Sequence, residues 1–206
     1  MSKVLSGGKL AGGNPENGRV ENDFYATNPL AVEMLDKVYP LDCNDKYVVE
    51  PCVGNGNILN KIKELYPRAS CVGVDIVDRG YEGSVIYKDF LDKDTLVGRP
   101  DLIITNPPYN CASEFVEKSI ETLNLGGKCC MFLKIQFLEG QKRKELFDKY
   151  PPKYIYVFRN RMATWNNGQE FDPKTGKHWC TTMCHSWFVW EKGFKGEPIV
   201  RWLDKE

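Results

Sequence analysis

The residues best suited to chemistry are Asn106, Pro107, Pro108 and Tyr109, which directly follow an apolar run over residues 101–105. That run has the composition of a buried parallel strand, and two consecutive prolines cannot extend it, so the chain must turn at the strand's carboxyl end. There Asn106 offers a side-chain carbonyl, Pro107 a backbone carbonyl and Tyr109 a flat ring. Two converging acceptors beside a stacking surface suit a planar group with an exocyclic amine, such as a nucleobase.

A second stretch has the form of a glycine-rich turn between a strand and a helix. Residues 47–50 form a short apolar strand, and residues 58–65 repeat apolar positions at helical spacing. Between them, Gly54 and Gly56 would let a ligand approach the backbone closely, and Asn57 is placed to cap the helix. This arrangement predicts a loop that binds a nucleoside-containing cofactor.

An acidic residue follows the glycine loop at the spacing expected for a ribose contact. Asp75 ends the next predicted strand, Ser70–Asp75, and lies 21 residues after Gly54. The loop lacks a third glycine placed for a dinucleotide pyrophosphate, and Glu50 would repel phosphates. The pair therefore favours a cofactor with a ribose but without phosphates.

Together these motifs resemble those of S-adenosylmethionine-dependent amino-methyltransferases, in particular the DNA adenine-N6 group. The resemblance runs in order from residue 23 to about residue 145. Cofactor motifs precede the catalytic motif and a recognition region follows it, which is the order of the gamma group and of its small phage-type members. The resemblance implies an α/β fold: a Rossmann-like, seven-stranded class I methyltransferase sheet with helices on both faces.

The resemblance also implies a role for each matching residue. Asp75 matches the ribose-binding acid, and Asp89 with Phe90 matches the pair that contacts the cofactor adenine. In the N-terminal motif Asn28 separates Thr27 from Pro29, which are adjacent in many relatives. The implied cofactor contacts are Phe24, Tyr25, Thr27, Glu50, Pro51, Gly54, Gly56, Asp75, Ile76, Asp89, Phe90 and Asn106. The implied catalytic residues are Asn106, Pro107, Pro108 and Tyr109, and looser motifs match at Phe115 and residues 134–140.

The implied activity is direct methyl transfer from S-adenosylmethionine to the N6 amine of a flipped adenine in DNA. Asn rather than Ser at position 106 favours adenine by resemblance only, and cytosine-N4 transfer stays an alternative. RNA adenine or a protein glutamine amide could also present the acceptor amine. A nucleic-acid-binding module without catalysis is the alternative outside enzymes.

The distribution of charge suits a nucleic-acid partner, and DNA is the partner that the resemblance implies. The formal net charge is zero, but residues 1–133 carry 14 basic and 19 acidic residues, a net of −5. Residues 134–206 carry 14 basic and nine acidic residues, a net of +5, which suits contact with phosphates. Ordinary solvated helix faces are the alternative explanation. The predicted nucleic-acid contacts are Lys134, Lys142, Arg143, Arg159, Arg161, Trp165, Asn166 and Lys177.

The chain divides into a flexible N-terminal arm over residues 1–20 and a single methyltransferase domain over residues 21–206. Residues 159–184 form a long segment rich in Arg, Asn, Gln and aromatic residues, which predicts a target-recognition insertion, with a mobile surface loop as the alternative. Further helices are predicted over 29–38, 112–123 and 140–150. Further strands are predicted over 84–87, 128–135, 154–158 and 186–190, the last two forming an antiparallel pair.

The cysteines and apolar runs narrow the setting. Cys71, Cys129 and Cys130 lie in apolar runs typical of reduced, buried thiols in a cytoplasmic protein. His178, Cys180, Cys184 and His185 lack the spacing of a zinc site, so no metal is predicted. No apolar run is long enough to span a membrane, and no signal peptide opens the chain. The oligomeric state is left open.

Overall fold

The computed structural model describes residues 24–204. The predicted arm over residues 1–20 and Asp23 of the N-terminal motif lie outside the described residues. The strands are β1 (Tyr25–Ala26), β2 (Tyr47–Pro51), β3 (Ser70–Asp75), β4 (Val85–Tyr87), β5 (Leu102–Thr105), β6 (Lys128–Lys134), β7 (Tyr154–Phe158), β8 (Trp165–Asn166), β9 (His185–Glu191) and β10 (Ile199–Leu203). The α-helices are α1 (Pro29–Val38), α2 (Asn57–Leu65), α3 (Ala112–Thr122) and α4 (Lys144–Lys149).

Within the described residues, eight strands form one sheet in the order β10-β7-β9-β6-β5-β2-β3-β4. Strands β2 to β6 run parallel to one another, and β9 runs antiparallel between β6 and β7. The prediction of an α/β Rossmann-like sheet is confirmed, with one difference in strand number. The additional strand is β10, which pairs in parallel with β7 at the edge.

The sheet direction brings several strand ends to one edge. Because β2, β3, β5 and β6 are parallel, their carboxyl ends lie side by side. Strand β9 runs the other way, so it begins at this edge, where His185 is paired with Lys134. In open α/β sheets this edge is where ligands bind.

The helices cover both faces of the sheet, as the sequence predicts. Helices α1 and α2 pack on one face and α3 and α4 on the other, each forming its own apolar cluster. Consecutive residues of β9 show the alternation: Trp187 belongs to the first cluster and Phe188 to the second. The indole N–H of Trp187 also donates to the carbonyl of Ala31 in α1, at 2.8 Å.

The starts of the first two helices have different caps. In α1 the Oδ1 of Asn28 accepts the N–H of Leu30 at 3.0 Å, which explains an asparagine before Pro29. The prediction that Asn57 caps α2 is wrong. Asn57 is the first helical residue, and the cap position is Gly56, with a φ of 85° and no capping side chain. The capping hydrogen bond comes instead from Glu50 on β2, whose Oε2 accepts the N–H of Leu59 in the first turn of α2 at 3.1 Å.

Most predicted boundaries differ by no more than one residue at an end. The exception is the helix predicted over 140–150, which is divided. A 3-10 helix over Gln141–Arg143 precedes α4, and Gly140 before it has a φ of 106° that favours glycine. Among residues 24–204, no helix combines the length and apolar character needed to cross a membrane.

Candidate active site

The glycine loop is held by the acid at the end of β3. The backbone N–H of Gly54 donates to Asp75 Oδ2 at 2.8 Å, and that of Val77 donates to Oδ1 at 3.0 Å. Asp75 is 9% exposed, so its carboxylate is largely removed from water. Each oxygen has a further acceptor site after its backbone bond. The carboxylate can therefore hold the loop and still accept hydroxyl groups of a ligand.

The space left by the two loop glycines is filled by aromatic rings. A Cβ on Gly54, whose φ is 55°, would lie 2.5 Å from Cε2 of Phe24, and one on Gly56 would lie 2.1 Å from Cδ2 of Tyr81. Both positions thus require glycine for their conformation and for close packing. The sequence predicts close approach of a ligand here, whereas the structure places protein rings against these glycines.

Glu50 faces inward from the end of β2. Its carboxylate is buried and accepts the Leu59 N–H at the start of α2. Burial raises the pKa of Glu50 well above its ordinary value, with the charge of Asp75 adding to the rise and the Leu59 hydrogen bond opposing it. Glu50 therefore supports the loop through α2, and Pro51 beside it supports the catalytic turn by accepting the hydroxyl of Thr105.

The catalytic turn begins where β5 ends. The Nδ2 of Asn106 donates to the carbonyl of Tyr25 in β1 at 2.9 Å. This bond fixes the amide plane and assigns Oδ1 as the atom available to an incoming donor. The Pro108 carbonyl accepts the Cys111 N–H at 3.2 Å, which closes the turn before α3.

The ring of Tyr109 lies near residues of β6 and β9 at the same edge. The Nζ of Lys134 lies 4.9 Å from the ring centroid, within cation–π distance. The ring of His185 lies on β9 with its centroid 6.4 Å away. Burial raises the pKa of the Tyr109 hydroxyl, so this group keeps its proton at physiological pH. Lys134, predicted as a nucleic-acid contact, is therefore brought to the catalytic turn.

Three predicted cofactor contacts, Ile76 and the adenine-contacting pair Asp89 and Phe90, occupy different surroundings. Ile76 follows Asp75 and its side chain is 65% exposed. Asp89 is exposed, and its Oδ1 accepts the Leu91 N–H at 2.8 Å. Phe90 is 2% exposed, and its ring packs on Phe115 with a centroid distance of 5.3 Å, so its side chain belongs to the core.

The insertion over residues 159–184 has internal structure and rests on the cofactor motifs. Strand β8 pairs with β1, so that Asn166 is opposite Tyr25. The following Gly168 has a φ of 72°, and a Cβ there would lie 2.7 Å from Nδ2 of Asn55 and 3.3 Å from Cε1 of Phe24. The insertion therefore covers the glycine loop as well as extending from the sheet.

Some of the predicted nucleic-acid contacts interact with other parts of the protein, and others are exposed. The backbones of Trp165 and Asn166 form the β1–β8 pair, and their side chains are half-buried. Arg159 pairs with Asp204 at 2.8 Å. Arg143 stacks on Phe137, with the guanidinium carbon 4.8 Å from the ring centroid. The structure brings Lys134 to the catalytic turn, whereas Lys142, Arg161 and Lys177 are exposed.

No group of three His, Cys, Asp or Glu side chains able to hold a metal occurs among the described residues. His185 is turned inward, and its Nδ1 lies 2.7 Å from the carbonyl of Met162. His178 instead faces Glu170 at 3.8 Å. All eight cysteines lie within residues 24–204 and are free thiols, and Cys71, Cys129 and Cys130 are buried as predicted.

The sequence did not indicate that Tyr81 packs on the glycine loop or that His185 lies next to the catalytic turn. Tyr81 lies between Gly80 and Gly83 in the loop after β3, and an isolated aromatic among turn residues was its only signal. His185 appeared only as a weak metal candidate. Both act through contacts between distant segments, which spacing along the chain does not reveal.

The fold and this edge can be compared with known proteins. No protein-family model matches the chain, and no curated protein sequence matches it. Among solved structures, the chain resembles a type I restriction-modification methyltransferase subunit from Streptococcus thermophilus, with a TM-score of 0.64 and 15% identity over 88% of this chain and 47% of that one. It also resembles a proposed class I S-adenosylmethionine-dependent methyltransferase from Listeria monocytogenes, with a TM-score of 0.59 and 14% identity over 85% and 62%.

A third similar structure was solved with ligands. It is a 16S rRNA methyltransferase from T. thermophilus in complex with AdoMet and guanosine, with a TM-score of 0.53 and 17% identity over 80% of this chain and 42% of that one. This chain therefore spans less than two thirds of each of these proteins. At such identities the likeness defines the fold, which is that of the class I methyltransferases. The predicted cofactor is the one on which the Listeria protein is described as depending.

Proposed function

We propose that the protein transfers a methyl group from S-adenosylmethionine to the exocyclic N6 amine of adenine in DNA. The orientation of the Asn106 amide carries the proposal. Because Nδ2 is bound to the Tyr25 carbonyl, Oδ1 is directed to accept an N–H from a target amine. The adjacent Pro107 carbonyl supplies a second acceptor, and Tyr109 supplies the stacking ring.

The polar atoms around the glycine loop fit the proposed cofactor. Asp75 has acceptor sites left for ribose hydroxyls, and exposed Ile76 offers apolar cover for an adenine. Among the described residues, the Oγ1 of Thr27 and the Oδ1 of Asn55 are buried without a hydrogen-bond partner. Buried polar atoms are rarely left unpaired. They suit the amino and carboxylate groups at the methionine end of S-adenosylmethionine.

The cofactor supplies an activated methyl group on a positively charged sulfur. The chain's own task is to present the amine, which is a weak nucleophile because its lone pair is delocalised into the purine ring. With one N–H bound by Asn106 Oδ1 and the other by the Pro107 carbonyl, the lone pair is favoured out of the ring plane. Holding the amine in this geometry supplies much of the rate, and the product loses its proton after transfer.

A base paired within a duplex cannot reach this turn, so the target must leave the stack. The Tyr109 ring would stack on it, as aromatic side chains do with single bases. Lys134 over that ring places a cation beside the flipped nucleotide. The basic residues after position 134 support nucleic acid as the acceptor.

The test measures transfer of a tritiated methyl group to DNA, to RNA and to a glutamine-containing protein, followed by mass analysis of the digested product. Methyladenine from DNA is the expected result. Methylcytosine, labelled RNA or labelled protein would each replace the proposal by the corresponding alternative. Normal cofactor binding without transfer to any acceptor would indicate a nucleic-acid-binding module.

The first prediction concerns Asn106. Replacing Asn106 with Ala removes the side-chain acceptor, so transfer should fall by roughly 100-fold or more, the size seen when one preorganised hydrogen bond to a reacting group is lost. Calorimetry should find cofactor binding retained. Asn110 lies in the same turn and is exposed, which makes Asn110→Ala the matched control. Equal loss in both variants would mean that disturbance of the turn, and not loss of the acceptor, explains the result.

A further inference from the structure

His185 joins three parts of the active site. It is the first residue of β9, immediately after the insertion, and it lies opposite Lys134 in the strand pairing. Its ring is 3% exposed. The ring centroid lies 6.4 Å from that of Tyr109 and 4.8 Å from that of Phe132.

One hydrogen bond fixes the orientation of this ring. Nδ1 lies 2.7 Å from the carbonyl of Met162, near the start of the insertion. A carbonyl can only accept, so Nδ1 carries the proton and donates it. This bond joins the start of the insertion to the residue that follows its end. The base of the insertion is thereby tied to the imidazole that faces Tyr109.

The charged groups around the imidazole keep it uncharged. The pKa of His185 is lowered to about 4, chiefly by burial and to a smaller extent by the cations Lys134 on β6 and Arg161 in the insertion, while the Met162 hydrogen bond opposes the shift. Tyr109, from the catalytic turn, is uncharged as well. The imidazole is thus an uncharged, oriented group next to the rings of Tyr109 and Phe132.

We propose that His185 is a positioning residue that holds the Tyr109 ring in place for the flipped base and ties this placement to the base of the insertion. The proposal rests on the proposed amine methyl transfer. It assigns to His185 no contact with cofactor or target. Its effect must therefore pass through Tyr109, and it must appear in the rate constant of transfer rather than in cofactor affinity.

Two variants separate the ring from its hydrogen bond. His185→Phe keeps a ring behind Tyr109 but leaves the Met162 carbonyl without its donor, which lowers stability. His185→Asn keeps a donor near the Nδ1 position but removes the ring. His185→Asn leaves a cavity beside Phe132, so it should also melt below wild type. We expect it to lose about tenfold in kcat, within the range of base–aromatic stacking. His185→Phe should melt below wild type as well, because it loses the hydrogen bond, yet it should lose less than about threefold in kcat.

The outcomes distinguish positioning from a purely structural role. If kcat followed melting temperature across both variants, the proposal would be overturned. Ser186→Ala is the matched control, since Ser186 is the next residue of β9 and its side chain points to the opposite sheet face. It should leave kcat and cofactor affinity unchanged.

A double-mutant cycle tests the route through Tyr109. In a Tyr109→Ala background, His185→Asn should cause no further loss of kcat, because the ring that it positions is absent. Multiplying losses would overturn the proposal. Wild type that transfers no methyl to any acceptor would instead overturn the proposed function. In that case, fluorine NMR on fluorotyrosine-labelled protein decides: the Tyr109 signal, assigned by its absence in Tyr109→Phe, must shift in His185→Asn.

Discussion

At the scale of single residues, burial works against charge on two groups that line the site. It raises the pKa of Glu50 and lowers that of His185 to about 4. Glu50 lies behind the glycine loop and His185 behind the catalytic turn. Asp75 at the glycine loop and Asn106 in the catalytic turn carry the acceptor oxygens that are offered to ligands. Each of these two parts of the site is therefore supported by a buried side chain, Glu50 or His185, whose surroundings disfavour its charged form.

The pKa of His185 predicts how stability depends on pH. The unfolded chain has the ordinary value of 6.5 and the folded chain about 4, so the unfolded state takes up the proton first as pH falls. The contribution of uncharged His185 to the free energy of unfolding is fully present above about pH 6.5. It falls by about 3 kcal/mol as the pH decreases to 4. Urea unfolding should find that the advantage of wild type over His185→Phe narrows by most of this amount between pH 7 and pH 4.5. A constant difference would mean that His185 titrates normally.

Some of these residues could be predicted from the sequence and others could not. Asp75 and Asn106 are recognisable because their chemistry follows from position at a strand end. The capping of α2 could not be predicted, because local propensity favours Asn57 whereas the bond comes from Glu50 on a neighbouring strand. The packing of Tyr81 on Gly56 is likewise a contact between distant segments.

At the scale of elements, the β1–β8 pair joins the cofactor motif to the insertion. It has two residues on each side. Next to it, Asn167 N–H donates to the Phe24 carbonyl at 3.2 Å, and Gly168 packs on Asn55. The same segment that is proposed to read the target thus covers the loop that is proposed to hold the cofactor.

This contact predicts that a change in the insertion weakens cofactor binding. Gly168→Ala would place a Cβ against the Asn55 amide and the Phe24 ring. We expect calorimetry to find affinity for S-adenosylmethionine reduced about tenfold, in line with the 1–3 kcal/mol cost of overpacking.

The matched control is Gly176→Ala. Gly176 also lies in the insertion, its φ of 66° is close to the 72° of Gly168, and a Cβ there would meet nothing within 4 Å. Both variants carry the same backbone strain, so the difference between them isolates the contact. Equal affinities would separate the insertion from cofactor binding.

The elements differ in how well the sequence predicts them. The parallel strands β2, β3, β5 and β6 were predicted because their apolar runs reflect burial on both faces. Strands β1 and β8, with two residues each, are too short to show an alternation of apolar and polar residues. Four of the five residues of β10 are exposed, so its sequence shows no buried face. These strands depend on their partners, so a local pattern cannot identify them.

At the scale of the whole molecule, the basic third of the chain contributes to the edge that carries the catalytic turn. Several of its cations have partners within the chain: Arg159 pairs with Asp204, and Lys144 with Asp148. Lys142 and Lys177 are exposed. The net charge of residues 134–206 is therefore less informative about binding than the positions of these lysines.

Salt dependence of DNA binding tests this surface. Replacing Lys142 and Lys177 with Gln should weaken binding to all DNA sequences and lower the slope of log affinity against log salt by about 2. Lys46, before β2, and Lys195, after β9, are exposed at the opposite edge of the sheet. The pair Lys46→Gln and Lys195→Gln changes the charge equally and should leave the slope unchanged. Identical slopes in the two double variants would indicate nonspecific attraction to the whole molecule.

The pairing of β1 with β8 also sets the order in which the site is completed during synthesis. Tyr25 is made about 140 residues before its strand partner Asn166. Closing so long a loop is slow and entropically costly. The Tyr25 carbonyl that orients Asn106 is therefore fixed late. A nascent chain that ends before the insertion already contains the glycine loop and its acid, yet the strand that fixes the direction of the Asn106 amide still lacks its partner. The proposed chemistry therefore becomes available only after Asn166 has been made.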